Sequence, residues 1–449
     1  MVDQMVTERL PGAAEAAAAI AEGSLRSEEL VRACLERIEA SEEAVQAWTF
    51  LDPDYALKQA RERDAFRGSG RPVGPLHGVP VGLKDIIDTA DMPTENGTAL
   101  DAGRRPREDA TMVARLRAAG AVVLGKTVST ELAFYGPGKT RNPHDTSRTP
   151  GGSSSGSAAA VAAGHVPVAV GSQTNGSTIR PASFCGVVGF KPSHGLIPRT
   201  GMLTQAPLLD AVGIFANSVE DAGLLADAMA GHDPADGETF PLAHPQLQRT
   251  AGAAPPVKPA FALVKGPTWD AAAADTREGL EELQGFLGDA CDEVPLPSAF
   301  ERAHELHRVL MMAGFAKNLS SYYERGASHL SAVMRAAIEE GRRVLAVDHA
   351  LAEEWRAVLN AGLEEIFERY DAVITPAAIG EAPEGLSATG DPTFCTLWTF
   401  CGTPAVSLPL LQGSAGLPIG VQLVGPRGDD ARLLRTARWL TEQLVEPRE

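Results

Sequence analysis

Apolar residues recur at helical spacing through SEELVRACLERIEASE, where Leu30, Val31, Cys34, Leu35 and Ile38 share one face. Ser27 stands where a capping hydroxyl would open that helix. A second, charged helix is predicted from Tyr55 to Arg67. GVPVGLKD then reads as a short buried strand ending near Lys84, ATMVARLRAAG as a helix closed by Gly120, and AVVLGKT as a core strand. After the loop RNPHDTSRTP, SAAAVAAG has the small side chains of a tightly packed helix and VPVAVGS returns as a strand. From about Asp233 to Pro259 the chain is rich in Pro, Ala and His, as a loop or the edge of a peripheral lobe would be. AFALVKG is a strand by pattern, and Thr276 to Tyr370 is mostly helical. DAVITPAA and PAVSLPLL are strands, and DDARLLRTARWLTEQL closes the chain as an amphipathic helix. Strands alternating with helices imply an α/β fold: a largely parallel sheet covered on both faces.

Composition narrows this picture. A chain of 449 residues that is 44% hydrophobic can bury a large core. With no clear linker or internal repeat, residues 1–449 are expected to form one domain with a helical excursion at about 233–370. A net charge of -18 speaks against a phosphate backbone as partner, which would call for clustered Lys and Arg. A small molecule, with no nucleic acid, is the expectation. The five cysteines show no CxxC spacing and are read as reduced thiols of a cytoplasmic protein. The opening MVDQMVTERLPGAAEAAAAIAEGS lacks a basic n-region, and Glu15 and Glu22 break its alanine run. Neither a signal peptide nor a membrane span is expected there.

Candidate chemistry gathers between Gly151 and Ile179, in GGSSSGS and SQTNGST. Ser177 follows Asn175 and Gly176, residues that tolerate positive φ and so permit a sharp turn. Such a turn can aim successive amides at one point, which makes the N–H groups of Thr174, Asn175, Gly176 and Ser177 candidates for an oxyanion hole. The alternative is an ordinary surface turn. Lys84 follows a run of Val and Leu, and burial would lower its pKa toward that of a working base. It could instead pair with Asp85 or Asp88. Among Ser153, Ser154 and Ser155, one hydroxyl could relay a proton between Ser177 and Lys84, while another caps the following helix.

GGSSSGSAAAVAAG and GSQTNGSTIRPASFCGVVGFKPS, with GVPVGLKD upstream, resemble the amidase signature family. The resemblance extends from GPLHGVPVGLKDIIDT to GLPIGVQLVG. It implies a large mixed sheet and amide hydrolysis by a Ser-cisSer-Lys triad, with Ser177 as nucleophile, Ser153 as relay after a cis Gly152-Ser153 peptide, and Lys84 as base. No metal or cofactor is called for, and family habit suggests a homodimer. Gln173 and Asn175 stand where the family usually has Asp and Gly. Arg180 lies three residues after Ser177 rather than two, similar to malonamidase-like members in which this arginine binds a substrate carboxylate. A structural ion pair is the other role open to it. The expected substrate is thus a small amide, with an acidic one favoured.

Three other readings compete. The family includes the amidase subunit of tRNA-dependent amidotransferases, whose partners handle the nucleic acid; the shifted Arg180 and the chain length favour the stand-alone enzyme. Gly120 to Thr127 matches the nucleotide-binding pattern GxxxxGK[ST], but its interior AVVL is strand-like. Gly152 to Gly156 matches GxSxG with Ser154 as nucleophile, yet no hydrophobic strand precedes it. His144, His165 and His194 are expected to be structural, Cys185 to be core, and Trp398 and Phe400 either to line an acyl pocket or simply to pack.

Overall fold

The structure, a computed structural model, describes residues 10–445. The first nine residues of the segment read for a leader lie outside them. The strands are β1 (Trp48–Leu51), β2 (Pro80–Lys84), β3 (Val122–Thr127), β4 (Val168–Gln173), β5 (Val188–Lys191), β6 (Ala211–Ala216), β7 (Phe261–Leu263), β8 (Cys291–Glu293), β9 (Ala372–Pro376), β10 (Ala405–Gln412) and β11 (Pro418–Val424). They form one sheet in the order β1-β3-β2-β4-β6-β5-β10-β11-β9-β7-β8. The expected α/β fold with a large mixed sheet is therefore present. Pairing is parallel at β2/β3, β2/β4, β7/β8 and β7/β9 and antiparallel at the other junctions. Antiparallel pairing carries more of the sheet than strand-helix alternation suggested: β4/β6, β5/β6, β5/β10 and β10/β11 are all antiparallel, and β10 and β11 are joined by a short connection of the kind antiparallel neighbours permit.

β2, β3, β4 and β6 are buried along their whole length, the pattern of strands covered on both faces. The helix Ser155–Ala162 lies close against them. A Cβ at its Gly156 would come within 2.3 Å of the Ala47 carbonyl and closer still to the Val128 nitrogen, so only glycine admits that approach. Ser27 does not cap the helix Ser27–Val45 as expected. Its hydroxyl is buried and donates to the Gly78 carbonyl at 2.8 Å, while the Asp64 carboxylate accepts from the Ser27 and Glu28 amides at 2.7 and 3.0 Å. A carboxylate from a neighbouring helix thus satisfies the free amides of this N-terminus.

A second apolar cluster lies under the helices Ala303–Asn318, Ala332–Gly341 and Ala346–Phe367, where Phe315, Met334 and Leu359 pack with Trp398 and Phe400 of the helix Thr393–Cys401. Trp398 and Phe400 are therefore packing residues. The five cysteines are free and buried. Among the described residues no helix is long and apolar enough to cross a membrane.

Candidate active site

β2 ends on Lys84, whose side chain is fully buried. Its Nζ lies 2.7 Å from Ser153 Oγ and 2.8 Å from Ser172 Oγ. Among the described residues no carboxylate forms an ion pair with it; Asp88 pairs with Arg104, and Asp85 accepts from the Glu95 amide. Desolvation drives its pKa well below the ordinary lysine value, and the charge of Asp210 offsets only part of that fall. An amine whose charged form is disfavoured by burial, set against two hydroxyls, can take up a proton and return it. Asp210 is itself buried; burial raises its pKa, and the hydrogen bond from Thr174 opposes the rise.

The Gly152-Ser153 peptide is cis. Its carbonyl accepts from Arg180 Nη2 at 2.6 Å, and the same nitrogen reaches Thr389 Oγ1 at 3.3 Å. Arg180 is fully buried; among the described residues it forms no ion pair, and its Nε and Nη1 have no hydrogen-bond partner. The ion-pair role considered for it is absent. Ser154, the candidate of the GxSxG pattern, is also fully buried. Its Oγ both donates to the Ser172 carbonyl and accepts from the Ser172 amide, which ties the helix start to β4.

Ser177 follows β4, slightly open to solvent at 8% exposure. Its hydroxyl bonds to no described residue. Lys84 and Ser153 are thus joined by a hydrogen bond, whereas Ser153 and Ser177 are not. The turn before Ser177 is not built on positive φ, since neither Asn175 nor Gly176 adopts it. Gly176 is needed for space: a Cβ there would lie 2.8 Å from Pro392 Cβ and 3.1 Å from Cys395 Sγ.

Hydrogen bonds to its carbonyls hold the turn instead. Thr174 O lies 2.9 Å from His307 Nε2, Asn175 O accepts from Thr399 Oγ1 at 2.5 Å, and Gly176 O accepts from the Arg180 amide at 3.1 Å. The amides of Asn175, Gly176 and Ser177 make no hydrogen bond among the described residues. Because N–H and C=O of one planar trans peptide point in opposite directions, these amides face away from the bonded side. Thr174 Oγ1 is fixed by Asp210 at 2.6 Å and Gln205 at 2.7 Å. Gln173 fits the place usually held by Asp: its Oε1 accepts from the Thr178 and Ile179 amides at 2.8 and 3.1 Å, capping the helix Ile179–Cys185, and its Nε2 donates to Thr399 at 3.0 Å. Beside this turn opens a cavity of about 680 Å³, lined by Tyr135, Asn175, His307, Arg308, Asp391 and Thr396 among others.

The remaining motif residues take other roles. Lys126, in the nucleotide-binding pattern, sits inside buried β3, donates to the Ile87 carbonyl and lies 2.7 Å from Thr94 Oγ1. That leaves no phosphate cradle. His144, His165 and His194 bond to the Cys185 carbonyl, to Ser41 and Trp48, and to the Pro207 carbonyl. Sequence reasoning did not find Ser172, Asp210, His307 or Thr399. Ser172 lay inside a motif already singled out and Thr399 between the two aromatic residues considered for an acyl pocket, whereas His307 comes from a distant helix with no local signal.

The Amidase family profile matches residues 29–434. A glutamyl-tRNA(Gln) amidotransferase subunit from Chloroflexus aggregans is 35% identical, with 93% of each chain covered. The protein of the same name from Moorella thermoacetica is 36% identical, with 94% of each covered. The native peptide amidase of Stenotrophomonas maltophilia superposes with a TM-score of 0.84 at 30% identity over 97% of both chains. These relatives overturn the expectation of a small-molecule amide as partner, with no nucleic acid and a homodimer by habit, because they belong to an enzyme of several subunits named for a tRNA substrate. The net charge of -18 describes the surface of this chain alone and cannot exclude a nucleic acid handled by a different polypeptide. Nor does length separate this chain from those relatives, since it covers nearly all of theirs. By the extent of these matches and the fold they share, the chain belongs to the amidase family of C–N bond cleaving enzymes.

Proposed function

We propose that this chain is the amidase subunit of a glutamyl-tRNA(Gln) amidotransferase, releasing ammonia from an amide donor through an acyl-enzyme on Ser177. The observation that carries this reading is its likeness, along nearly the whole chain, to subunits of that enzyme, with the Lys84-Ser153 contact at the centre of the site. Ser177 Oγ attacks the amide carbonyl and its proton passes through Ser153 toward Lys84. The oxyanion is received by the amides of the Thr174–Ser177 turn. Ser153 returns a proton to the leaving nitrogen, and water then releases the acyl group. Two free N–H edges of Arg180 suit a carboxylate on the donor. Partner subunits supply the tRNA contact that a chain of charge -18 is poorly suited to make. Five buried free thiols support a cytoplasmic setting.

The test is reconstitution with the other subunits of such an enzyme, glutamyl-tRNA(Gln) and an amide donor. Amidated tRNA should form with the wild-type chain and not with Ser177→Ala. Rapid ammonia release by the isolated chain, together with no tRNA amidation in the assembly, would refute the assignment.

A further inference from the structure

We infer that His307 is a positioning residue that aims the oxyanion-binding amides from the helical lobe, an inference resting on the reading of the Thr174–Ser177 turn given above. His307 belongs to the helix Ala303–Asn318, more than a hundred residues beyond the serine motifs. From that helix it reaches the backbone of this turn, with Nε2 at 2.9 Å from the Thr174 carbonyl. A carbonyl can only accept, so Nε2 carries the proton. Burial pushes the ring down to about 4, with the Thr174 bond opposing, so the imidazole is neutral near pH 7 and has one N–H to place. That N–H is committed to Thr174 O. The rigid peptide then turns the Asn175 amide to the opposite side.

The other two bonded carbonyls of the turn lean on different supports. Thr399 holds Asn175 O, and Arg180 N holds Gly176 O as the first turn of its own helix. Without the imidazole, the peptide between Thr174 and Asn175 keeps its Thr174 side-chain bonds to Asp210 and Gln205 but loses the contact that fixes its rotation. His307 also lines the cavity beside the turn. One ring therefore links the wall of the cavity beside the turn to the amides that the proposed mechanism uses as oxyanion donors.

The test compares His307→Gln, which keeps an N–H donor, with His307→Leu, which keeps bulk without one. The probe is a fluorophosphonate, whose phosphoryl oxygen develops charge in the same place as the amide oxyanion. The wild-type rate of Ser177 modification is resolved into KI and kinact, and melting temperatures report on folding. His307→Leu should lower kinact roughly 10- to 100-fold, the scale of a misaimed oxyanion donor, with KI little changed. His307→Gln should recover most of that loss at a similar melting temperature. Wild-type kinact in His307→Leu, a change confined to KI, or an equal loss in both folded variants would overturn the role. Failure of the wild-type chain to be modified at Ser177 would instead sink the nucleophile assignment, and this inference with it.

Discussion

The two ends of the site are built in opposite ways. At the lysine end, everything comes from the sheet and the two serine motifs: Lys84 on β2, Ser172 on β4 and Ser153 at the helix start between them. That end is buried, and its groups hydrogen-bond to one another. At the end proposed to receive the oxyanion the motif supplies amides that bond to nothing among the described residues, and His307 and Thr399 grip the carbonyls behind them from outside the motif. Proton transfer needs a group whose pKa is shifted, which burial in a sheet provides. Oxyanion binding needs donors left vacant but rigid, so the supports must grip the carbonyls behind them.

The sharpest way to break this comparison is at the lysine end. Lys84→Met and Ser177→Ala should each lower amide turnover by roughly 10³-fold or more while the fold persists. Ammonia release and circular dichroism check this, and substantial turnover by Lys84→Met would remove the base from the mechanism. At the oxyanion end, Thr399→Val removes the bond to Asn175 O and one partner of Gln173. It should reduce kcat roughly 10- to 100-fold with a smaller change in KM, as expected of groups that act on the transition state.

Ser172→Ala takes away one hydroxyl from Lys84 and leaves Ser153 in place. An acceptor stabilises an ammonium more than an amine, so the acid limb of the pH-rate profile should move to lower pH, with at most about a tenfold loss of kcat. Movement to higher pH would contradict that account. The smallest effect concerns stability. His307 has a folded pKa of about 4 against 6.5, so between those values the unfolded chain binds more protons than the folded one. Its contribution to stability is complete above pH 6.5 and declines as pH falls toward 4. Urea midpoints measured across this range should fall less steeply in His307→Gln than in the wild type.

Much of the sheet, most helices, Lys84 and the serine cluster were legible from local pattern. Strand periodicity, a lysine after apolar residues and glycine-rich serine segments are all properties of short stretches. The errors share a cause: the Ser27 cap, the positive φ expected before Ser177 and the ion pair considered for Arg180 each depended on which distant group arrived. Asp64 took the helix end, hydrogen bonds to the carbonyls of Thr174, Asn175 and Gly176 hold the turn, and Arg180 Nη2 donates to the Gly152 carbonyl with no carboxylate in ion-pair reach among the described residues. The expected partners failed for a related reason, since net charge is a property of one chain and cannot report what a neighbouring polypeptide holds.

By itself, then, the sequence determined the chemical groups and the strands and turns that carry them, because periodicity and residue type act over a few positions. Only the tertiary structure decided that Lys84 would be desolvated between two hydroxyls and that His307 and Thr399 would stand behind the turn before Ser177. Burial and hydrogen-bond direction belong to the packed chain, and contacts between residues more than a hundred positions apart leave no trace in local pattern.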